Sequence, residues 1–261
     1  MPELPEVEIV RRELQALCGA KILRIASSDR RVFRERARAA GRTIRAVTRR
    51  GKWLRVELDR GVMFSHLGMT GDWTVRDADE AALPFERVRI DVELRRKIAS
   101  ARYTDPRRFG RLLVVPGDIP EWQALGRDPL SEGIDEAHLA QVMKKRRSAV
   151  KVVLMDQSLL PGVGNIIATE ALFRARIDPR APSRSMNERD VHAIAKALDA
   201  TIRRMLAYDE AILEDPEAEA PFRVYGHAGE PCPRCGKKLR RLIVGGRGTT
   251  FCAGCQRAAP G

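Results

Sequence analysis

The spacing of apolar residues changes once along the first half of the chain. Apolar side chains recur at helical spacing over residues 4–17, which predicts an α-helix. From about residue 21 to 115 the pattern becomes short apolar runs separated by turn residues and charges, typical of a twisted antiparallel sandwich or barrel. The predicted strands cover residues 21–25, 43–48, 53–58, 62–66, 73–76, 88–94, 101–103 and 112–115.

The second half is mainly helical in pattern. Helices are predicted over residues 137–147, 149–158, 165–174 and 188–206. The acidic stretch from Tyr208 to Ala220 follows the last of these, and its composition predicts a mobile loop or linker. The C-terminal segment then carries two cysteine pairs and predicts a small metal-binding module. These patterns together predict an α+β multidomain chain.

The net charge of the chain indicates which class of partner it binds. Among 261 residues, 48 Lys and Arg face 35 Asp and Glu, a formal net charge of +13, which favours a polyanion such as nucleic acid. An anionic membrane surface is the second choice, but no apolar run approaches the roughly 20 residues of a membrane span. The N-terminus is acidic and lacks the apolar region of a signal peptide, so we expect a cytoplasmic protein without a membrane partner.

Four of the five cysteines form a metal-ligand pattern. The pairs Cys232/Cys235 and Cys252/Cys255 are separated by sixteen residues, which is typical of a closed tetrahedral Zn²⁺ site. A redox role is the alternative, and a disulfide framework is disfavoured by the unpaired Cys18, which we expect to be a small buried apolar residue.

Between the cysteine pairs, two apolar runs predict a β-hairpin. Residues 239–244 and 248–251 are joined around Gly245-Gly246, a dipeptide that tight hairpins favour. Arg247 lies beside that turn, where a guanidinium can reach a phosphate.

The first residues suggest amine chemistry. Removal of Met1 would expose the secondary amine of Pro2, and an α-amino group titrates near pH ~8, so part of it is an unprotonated nucleophile. Attack on a sugar or carbonyl carbon would give an iminium, with Glu3 placed to transfer a proton. The alternative is that Met-Pro has no catalytic meaning, as in many cytosolic proteins.

Four further segments allow a functional and an ordinary interpretation. Gly-Val-Gly-Asn at 162–165 suits a phosphate at a helix N-terminus, or ordinary helix packing. The loop 105–110, with Arg107 and Phe109, suits insertion into a base stack, or a surface loop with Phe109 in the core. Met69 and His66 in the 66–69 turn likewise allow either contact with a nucleic acid or an ordinary structural role. Lys52 is either a solvated charge or an active-site group.

Taken together, these segments closely resemble the bacterial formamidopyrimidine-DNA glycosylases of the formamidopyrimidine/endonuclease VIII family. The matching residues are 1–8, 49–54, 66–71, 103–110, 155–173, 224–235 and 247–257. The resemblance implies an N-terminal catalytic helix and antiparallel β-sandwich over 1–130, a helix–two-turn–helix domain over 131–222 and a C-terminal zinc-finger hairpin over 223–261. DNA would lie between the two halves of such a protein.

The resemblance also implies a division of catalytic roles. Pro2 would attack C1′ of the damaged nucleoside, and Glu3 would be the acid/base that opens the sugar. Lys52 would donate a proton in β-elimination, Arg247 would serve δ-elimination, and Glu6 matches a second acidic residue near the sugar. The implied activity is excision of oxidised purines followed by strand cleavage.

Binding residues follow from the same resemblance. The partner would be double-stranded DNA with oxidised bases or abasic sites, bound by a monomer in the bacterial cytosol. One structural Zn²⁺ on the four paired cysteines would take no part in the chemistry. The residues assigned to DNA are His66, Met69, Arg87, Arg107, Phe109, Arg146, Lys151 and Asn165.

One region departs from the family pattern. The Gly-Gly-Thr/Ser-Thr-like segment that enters the lid over the extruded base is missing from residues 204–221, which are acidic instead. The same chemistry with a shifted lesion range is therefore an alternative. A non-catalytic damaged-DNA binding protein is the alternative from another class, disfavoured because Pro2, Glu3, Lys52 and Arg247 are all present.

Overall fold

The strand-rich first half folds into two β-sheets that share one core. The structure, a computed structural model, describes residues 2–35, 38–215 and 217–257. It forms two units: one holds Pro2 and Glu6–Ala124, and the other holds Glu3–Pro5 and the described chain from Leu125 onward.

The first unit contains most of helix α1 (Leu4–Gln15), a short helix α2 (Pro120–Gln123) and nine strands among the described residues. The strands are β1 (Lys21–Ser27), β2 (Phe33–Glu35), β3 (Ile44–Arg50), β4 (Trp53–Leu58), β5 (Val62–His66), β6 (Asp72–Asp77), β7 (Glu86–Leu94), β8 (Lys97–Thr104) and β9 (Arg111–Val115).

These strands form a four-stranded sheet in the order β1-β7-β8-β6 and a five-stranded sheet in the order β2-β9-β5-β4-β3. Neighbouring strands are antiparallel except β2 and β9, which are parallel. Both sheets and α1 bury apolar side chains in one core, among them Val10, Val56 and Ile90. Trp73 of β6 donates its indole hydrogen to Ser65 Oγ of β5 over 2.9 Å, which joins the sheets inside the core. The predicted antiparallel sandwich is confirmed.

The second unit is built around four helices and one hairpin. The helices are α3 (Glu136–Lys145), α4 (Val150–Leu154), α5 (Asn165–Ala175) and α6 (Glu188–Glu214), and the hairpin strands are β10 (Arg240–Val244) and β11 (Arg247–Phe251). Leu4 and the apolar faces of all four helices share a core. Asn187 and Asp190 close a capping box that fixes the start of α6.

The structure corrects the predicted loop from Tyr208 to Ala220. Helix α6 continues through Glu214, so residues 208–214 are helical. The glutamate, alanine and leucine residues of this stretch are good helix formers, and the first residue of the sequence that cannot continue a helix is Pro216. Charge alone is therefore a poor indicator of a loop here.

Two smaller differences have local causes. Strand β2 is three residues long and lies among charged residues, so it leaves no alternating pattern in the sequence. Helix α4 ends at Leu154 rather than at residue 158, because the Asp156 carboxylate accepts the N–H of Ser158 over 2.9 Å and closes a turn. Among the described residues, every helix is too short or too polar to cross a bilayer.

Candidate DNA-processing site

A buried carboxylate lies at the start of helix α5. Glu3 is fully buried, and its two carboxylate oxygens accept the N–H groups of Gly164, Ile166 and Ile167 at 3.1, 2.9 and 3.0 Å. The first N–H groups of a helix have no partner within it, and the helix dipole favours an anion there. Three backbone donors therefore fix the side chain of the residue that follows Pro2.

A glycine makes this approach of the N-terminal segment possible. Gly162 has φ +90°, and a Cβ atom there would lie 2.6 Å from Cβ of Leu4. The N–H of Leu4 also donates to the Gly162 carbonyl over 3.2 Å. From sequence, the 162–165 loop is expected to bind a phosphate; in the structure the N–H of Gly164 in that loop donates to Glu3, and the N–H of Gly162 donates to Gln157 Oε1.

Lys151 connects helices α4 and α5 to the hairpin. Its buried ammonium donates to Asn165 Oδ1, Thr169 Oγ1 and Thr249 Oγ1 at 2.7, 2.8 and 2.7 Å. Burial lowers the pKa of Lys151 to about 8; the negative charge of Glu3 opposes that shift, and the positive charge of Arg247 adds to it. The Nδ2 group of Asn165 donates to the Gly248 carbonyl over 3.1 Å, so hairpin and helix share one network.

Arg247 lies directly after the tip of the hairpin. Gly245 and Gly246 both have positive φ, 56° and 74°, as a two-residue hairpin turn of this kind requires. A Cβ atom on Gly245 would lie 2.8 Å from Cγ2 of Val152, so the turn packs closely on helix α4. Arg247 itself is exposed, in the position expected from sequence.

The four paired cysteines form a cluster suited to zinc. The sulfur atoms of Cys232, Cys235, Cys252 and Cys255 all lie within 4.8 Å of one another, and two of their separations are 3.5 and 3.8 Å. Tetrahedral Zn–S bonds of about 2.3 Å place the sulfurs roughly 3.8 Å apart, so these residues fit one structural Zn²⁺. Cys18 lies outside this cluster, half-buried against the sandwich core.

In the first unit, Lys52 lies in the turn between β3 and β4. Arg50 pairs with Trp53, which leaves Gly51 and Lys52 as the two turn residues. Gly51 has φ +59°, and Lys52 is half-buried. The turn therefore presents the lysine at its tip.

His66 is a neutral histidine at the end of β5. Its Nδ1 accepts the N–H of Gly68 over 3.1 Å, so the remaining ring hydrogen is on Nε2. Burial lowers the pKa of His66 to about 4, and the positive charges of Lys52 and Arg111 act in the same direction. His66 consequently offers a hydrogen-bond donor without a positive charge at neutral pH.

The predicted wedge residues lie on two neighbouring loops of the first unit. Arg107 and Phe109 are exposed, with the guanidinium 4.9 Å from the centre of the ring, and Met69 is half-buried. The buried carboxylate of Asp105 joins the loops: it accepts the Thr70 hydroxyl at 2.6 Å and the N–H groups of Arg107 and Gly110 at 3.2 and 2.8 Å. Phe109 is therefore outside the core, and the Asp105 carboxylate fixes the loop that carries it.

The other predicted residues have varied surroundings. Pro2 and Glu6 are half-buried. Arg87 donates through Nε to the Asp105 carbonyl over 2.9 Å, and Arg146 pairs with Asp156 over 2.5 Å. Both arginines are thus bound within their own unit.

Several residues that hold the predicted functional side chains left little trace in the sequence. Thr169 and Thr249 hold Lys151, Asp105 holds the wedge loops, and Glu8 with Arg49 holds the Lys52 turn. Each of these residues lies in a segment whose predicted functional residue is a different one. A buried lysine ammonium needs several hydrogen-bond acceptors, and only this requirement could have indicated the threonines.

Comparison with known proteins gives a consistent assignment for the whole chain. The model of the formamidopyrimidine-DNA glycosylase N-terminal domain matches residues 1–112, and that of the formamidopyrimidine-DNA glycosylase H2TH domain matches residues 125–216. A zinc finger found in FPG and IleRS matches residues 229–258.

Full-length relatives agree with these matches. Formamidopyrimidine-DNA glycosylase of Thermus thermophilus is 39% identical over 276 residues, which cover 100% of both chains. The Lactococcus lactis FPG in complex with Fapy-dG-containing DNA has a TM-score of 0.87 at 30% identity, covering 98% of this chain and 100% of that one. The Lactococcus lactis Fpg in complex with abasic-site DNA has a TM-score of 0.84 at 28% identity, covering 98% and 99%.

We predict that removal of zinc abolishes DNA binding. The metal supplies folding energy that so short a hairpin cannot obtain from a core, and Arg247 and Thr249 lie on β11 of that hairpin. Chelated protein and the variant C252S should each show no saturable binding of a lesion-containing duplex in a fluorescence-anisotropy titration in which the wild type saturates. C18S, which retains the four ligands, is the control; undiminished affinity in metal-free protein would contradict the prediction.

We predict that His66 makes the protein less stable in acid. Its pKa is about 4 in the folded chain and near ~6.5 when unfolded, so between these values the unfolded chain binds more protons. The stability from a neutral His66 is complete above pH ~6.5 and falls as the pH drops toward 4. H66Q should therefore lose less unfolding free energy than wild type between pH 7 and pH 4.5 in denaturant titrations. H138Q, at an exposed histidine, should behave as wild type, and equal losses in H66Q and wild type would refute the assignment.

Proposed function

The chain belongs to the formamidopyrimidine-DNA glycosylase family, and from that membership we propose that it is a base-excision-repair enzyme. The family combines DNA glycosylase with AP lyase activity. In this protein it would excise oxidised purines, including formamidopyrimidines and 8-oxoguanine, and then cleave the strand. The observation that carries the proposal is the Glu3 carboxylate, buried on three N–H donors and joined by one peptide bond to Pro2.

The reaction would begin at C1′ of an everted nucleoside. The Pro2 nitrogen forms a bond to C1′, and the bond from C1′ to the base breaks, its electron pair leaving with the base. Glu3 takes the proton of the Pro2 nitrogen and passes it to O4′ as the sugar ring opens, and the nitrogen lone pair then gives an iminium at C1′. A fixed carboxylate suits this step because its position does not change during proton transfer.

Strand cleavage would follow from the iminium. The positive nitrogen acidifies the C2′ proton, and loss of that proton to water expels the 3′ phosphate, with Lys52 donating a proton to the departing oxygen. A second elimination, served by Arg247, expels the 5′ phosphate and leaves a one-nucleotide gap. Water then hydrolyses the imine and releases the Pro2 amine.

The proposed partner is double-stranded DNA containing oxidised bases or abasic sites. Everting a base costs a few kcal/mol of unstacking, which contacts by an inserted side chain and by phosphate-binding residues offset. Met69, Arg107 and Phe109 are proposed for the gap in the duplex. The DNA-bound Lactococcus lactis structures, with Fapy-dG and with an abasic site, support this class of partner.

We predict covalent trapping through Pro2. Borohydride reduces an imine to a stable amine, so wild-type protein incubated with abasic or Fapy-containing duplex should yield a covalent adduct visible by denaturing electrophoresis. P2G, which retains a primary α-amine at the N-terminus but lacks the secondary amine, should trap far less. A wild-type protein without an adduct, or an undiminished adduct in P2G, would overturn the mechanism. A protein that binds damaged DNA but neither traps nor nicks it would be the non-catalytic alternative.

A second candidate, the same chemistry with a shifted lesion range, is favoured by helix α6. Because α6 continues through Glu214, only residues 215–222 separate it from Arg223, whose N–H donates to the buried carboxylate of Glu170 at 3.0 Å from each oxygen. Glu170 also accepts the N–H groups of Val224 and Tyr225. A segment so short and so firmly held at one end has little chain with which to cover an extruded base.

A panel of single-lesion duplexes separates the two candidates. If the short segment does not read the base, excision rates for 8-oxoguanine opposite cytosine should fall at least about tenfold below those for ring-opened purine, while abasic-site cleavage is unaffected. Rates should be measured in single turnover with enzyme in excess. Equal excision of both purine lesions would remove the second candidate.

A further inference from the structure

Arg49 is a buried charged side chain to which the proposed reaction gives no role. Its side chain is only 2% exposed, although it lies three residues before Lys52. Burial of a guanidinium costs several kcal/mol unless good acceptors surround it. Its acceptors therefore indicate what the buried charge holds together.

Those acceptors belong to two different elements. Arg49 Nε donates to Glu8 Oε2 over 3.1 Å, and Nη1 donates to the Gly51 carbonyl over 3.2 Å. Glu8 lies in the second turn of α1, the helix that follows Pro2. Gly51 is the turn residue directly before Lys52, so the guanidinium holds the turn at its tip and attaches it to the helix.

The same carboxylate has two outer partners on its own helix. Arg11 and Arg12 donate to Glu8 Oε1 at 2.9 and 3.1 Å, with side chains 24% and 45% exposed. Burial alone would raise the pKa of Glu8, but the hydrogen bonds from Arg11 and Arg49 outweigh it and hold the pKa below its ordinary value. Glu8 is thus a charged anchor with one inner and two outer arginines.

We infer that Arg49 and Glu8 are a positioning pair that fixes the Lys52 ammonium with respect to the helix that follows Pro2. The inference rests on the proposed function, in which Pro2 forms the imine and Lys52 supplies a proton for elimination. Neither member of the pair contacts the substrate; both act through the turn. A displacement of about 1 Å in a reacting group can lower a rate by up to about 100-fold.

The test uses an abasic duplex and two readouts in single turnover. Borohydride trapping measures formation of the imine, and strand nicking measures elimination. R49Q should nick at least about tenfold more slowly, while its trapped adduct forms at the wild-type level and persists for longer. R49K retains the charge but cannot donate to both acceptors in the geometry of a guanidinium. Its nicking rate should therefore lie between those of wild type and R49Q.

Matched variants separate positioning from stability. R12Q removes one outer partner of Glu8 and should behave as wild type, whereas E8Q should resemble R49Q, and the double variant R49Q/E8Q should be no slower than either single variant. Equal nicking by R49Q and R12Q would overturn the inference. So would a parallel loss of trapping and nicking in R49Q and R49K, since a general structural defect would lower both.

A further variant distinguishes failure of the inference from failure of the proposed function. K52Q should trap and fail to nick. A defective K52Q beside a normally nicking R49Q would overturn the inference alone. A K52Q that nicks normally would remove the role of Lys52 and the inference with it, and a wild type without an adduct would overturn the proposed function itself.

Discussion

The three hydrogen bonds from the start of helix α5 to Glu3 are the constraint on which the second unit depends. A carboxylate buried without donors would be strongly destabilising, so the N-terminal segment can lie there only because Gly164, Ile166 and Ile167 offer unpaired N–H groups. Because Glu3 adjoins Pro2, the same bonds hold the residue next to the proposed nucleophile. A chain terminus, ordinarily among the least ordered parts of a protein, is thereby held at a fixed position.

The first turn of α5 also organises the hairpin. Asn165 accepts a hydrogen bond from Lys151 and donates one to Gly248, while Thr249 supplies another acceptor to the same lysine. The cysteine cluster holds the far end of the hairpin, and this network holds the near end. Arg247 is exposed directly before Gly248 and Thr249, so its backbone is held by this network. The four-cysteine zinc site and the buried Lys151 ammonium thus each fix one end of the hairpin.

How much the sequence could predict differs from residue to residue. The strands of the sandwich and the four-cysteine cluster follow from local spacing, and both are confirmed. The partners of Glu3 could not be predicted, because they lie more than 160 residues away and are backbone groups without a side-chain signature. Arg49 was one basic residue among 48, and only its burial distinguishes it. The predicted end of α6 at residue 206 is wrong, because acidic composition does not by itself indicate a loop and the Glu, Ala and Leu residues of 208–214 have high helix propensity.

The extended end of α6 has a consequence for how the protein responds to its ionic surroundings. The last turn contains no basic residue, while Asp209, Glu210 and Asp215 lie near a helix end that already carries a partial negative charge. A carboxylate at a helix C-terminus destabilises it by roughly 0.3–1 kcal/mol at low salt, and no cation in the last turn of α6 offsets that effect. Because dissolved ions screen such charges, we expect the end of α6 to be more stable in high salt than in low salt.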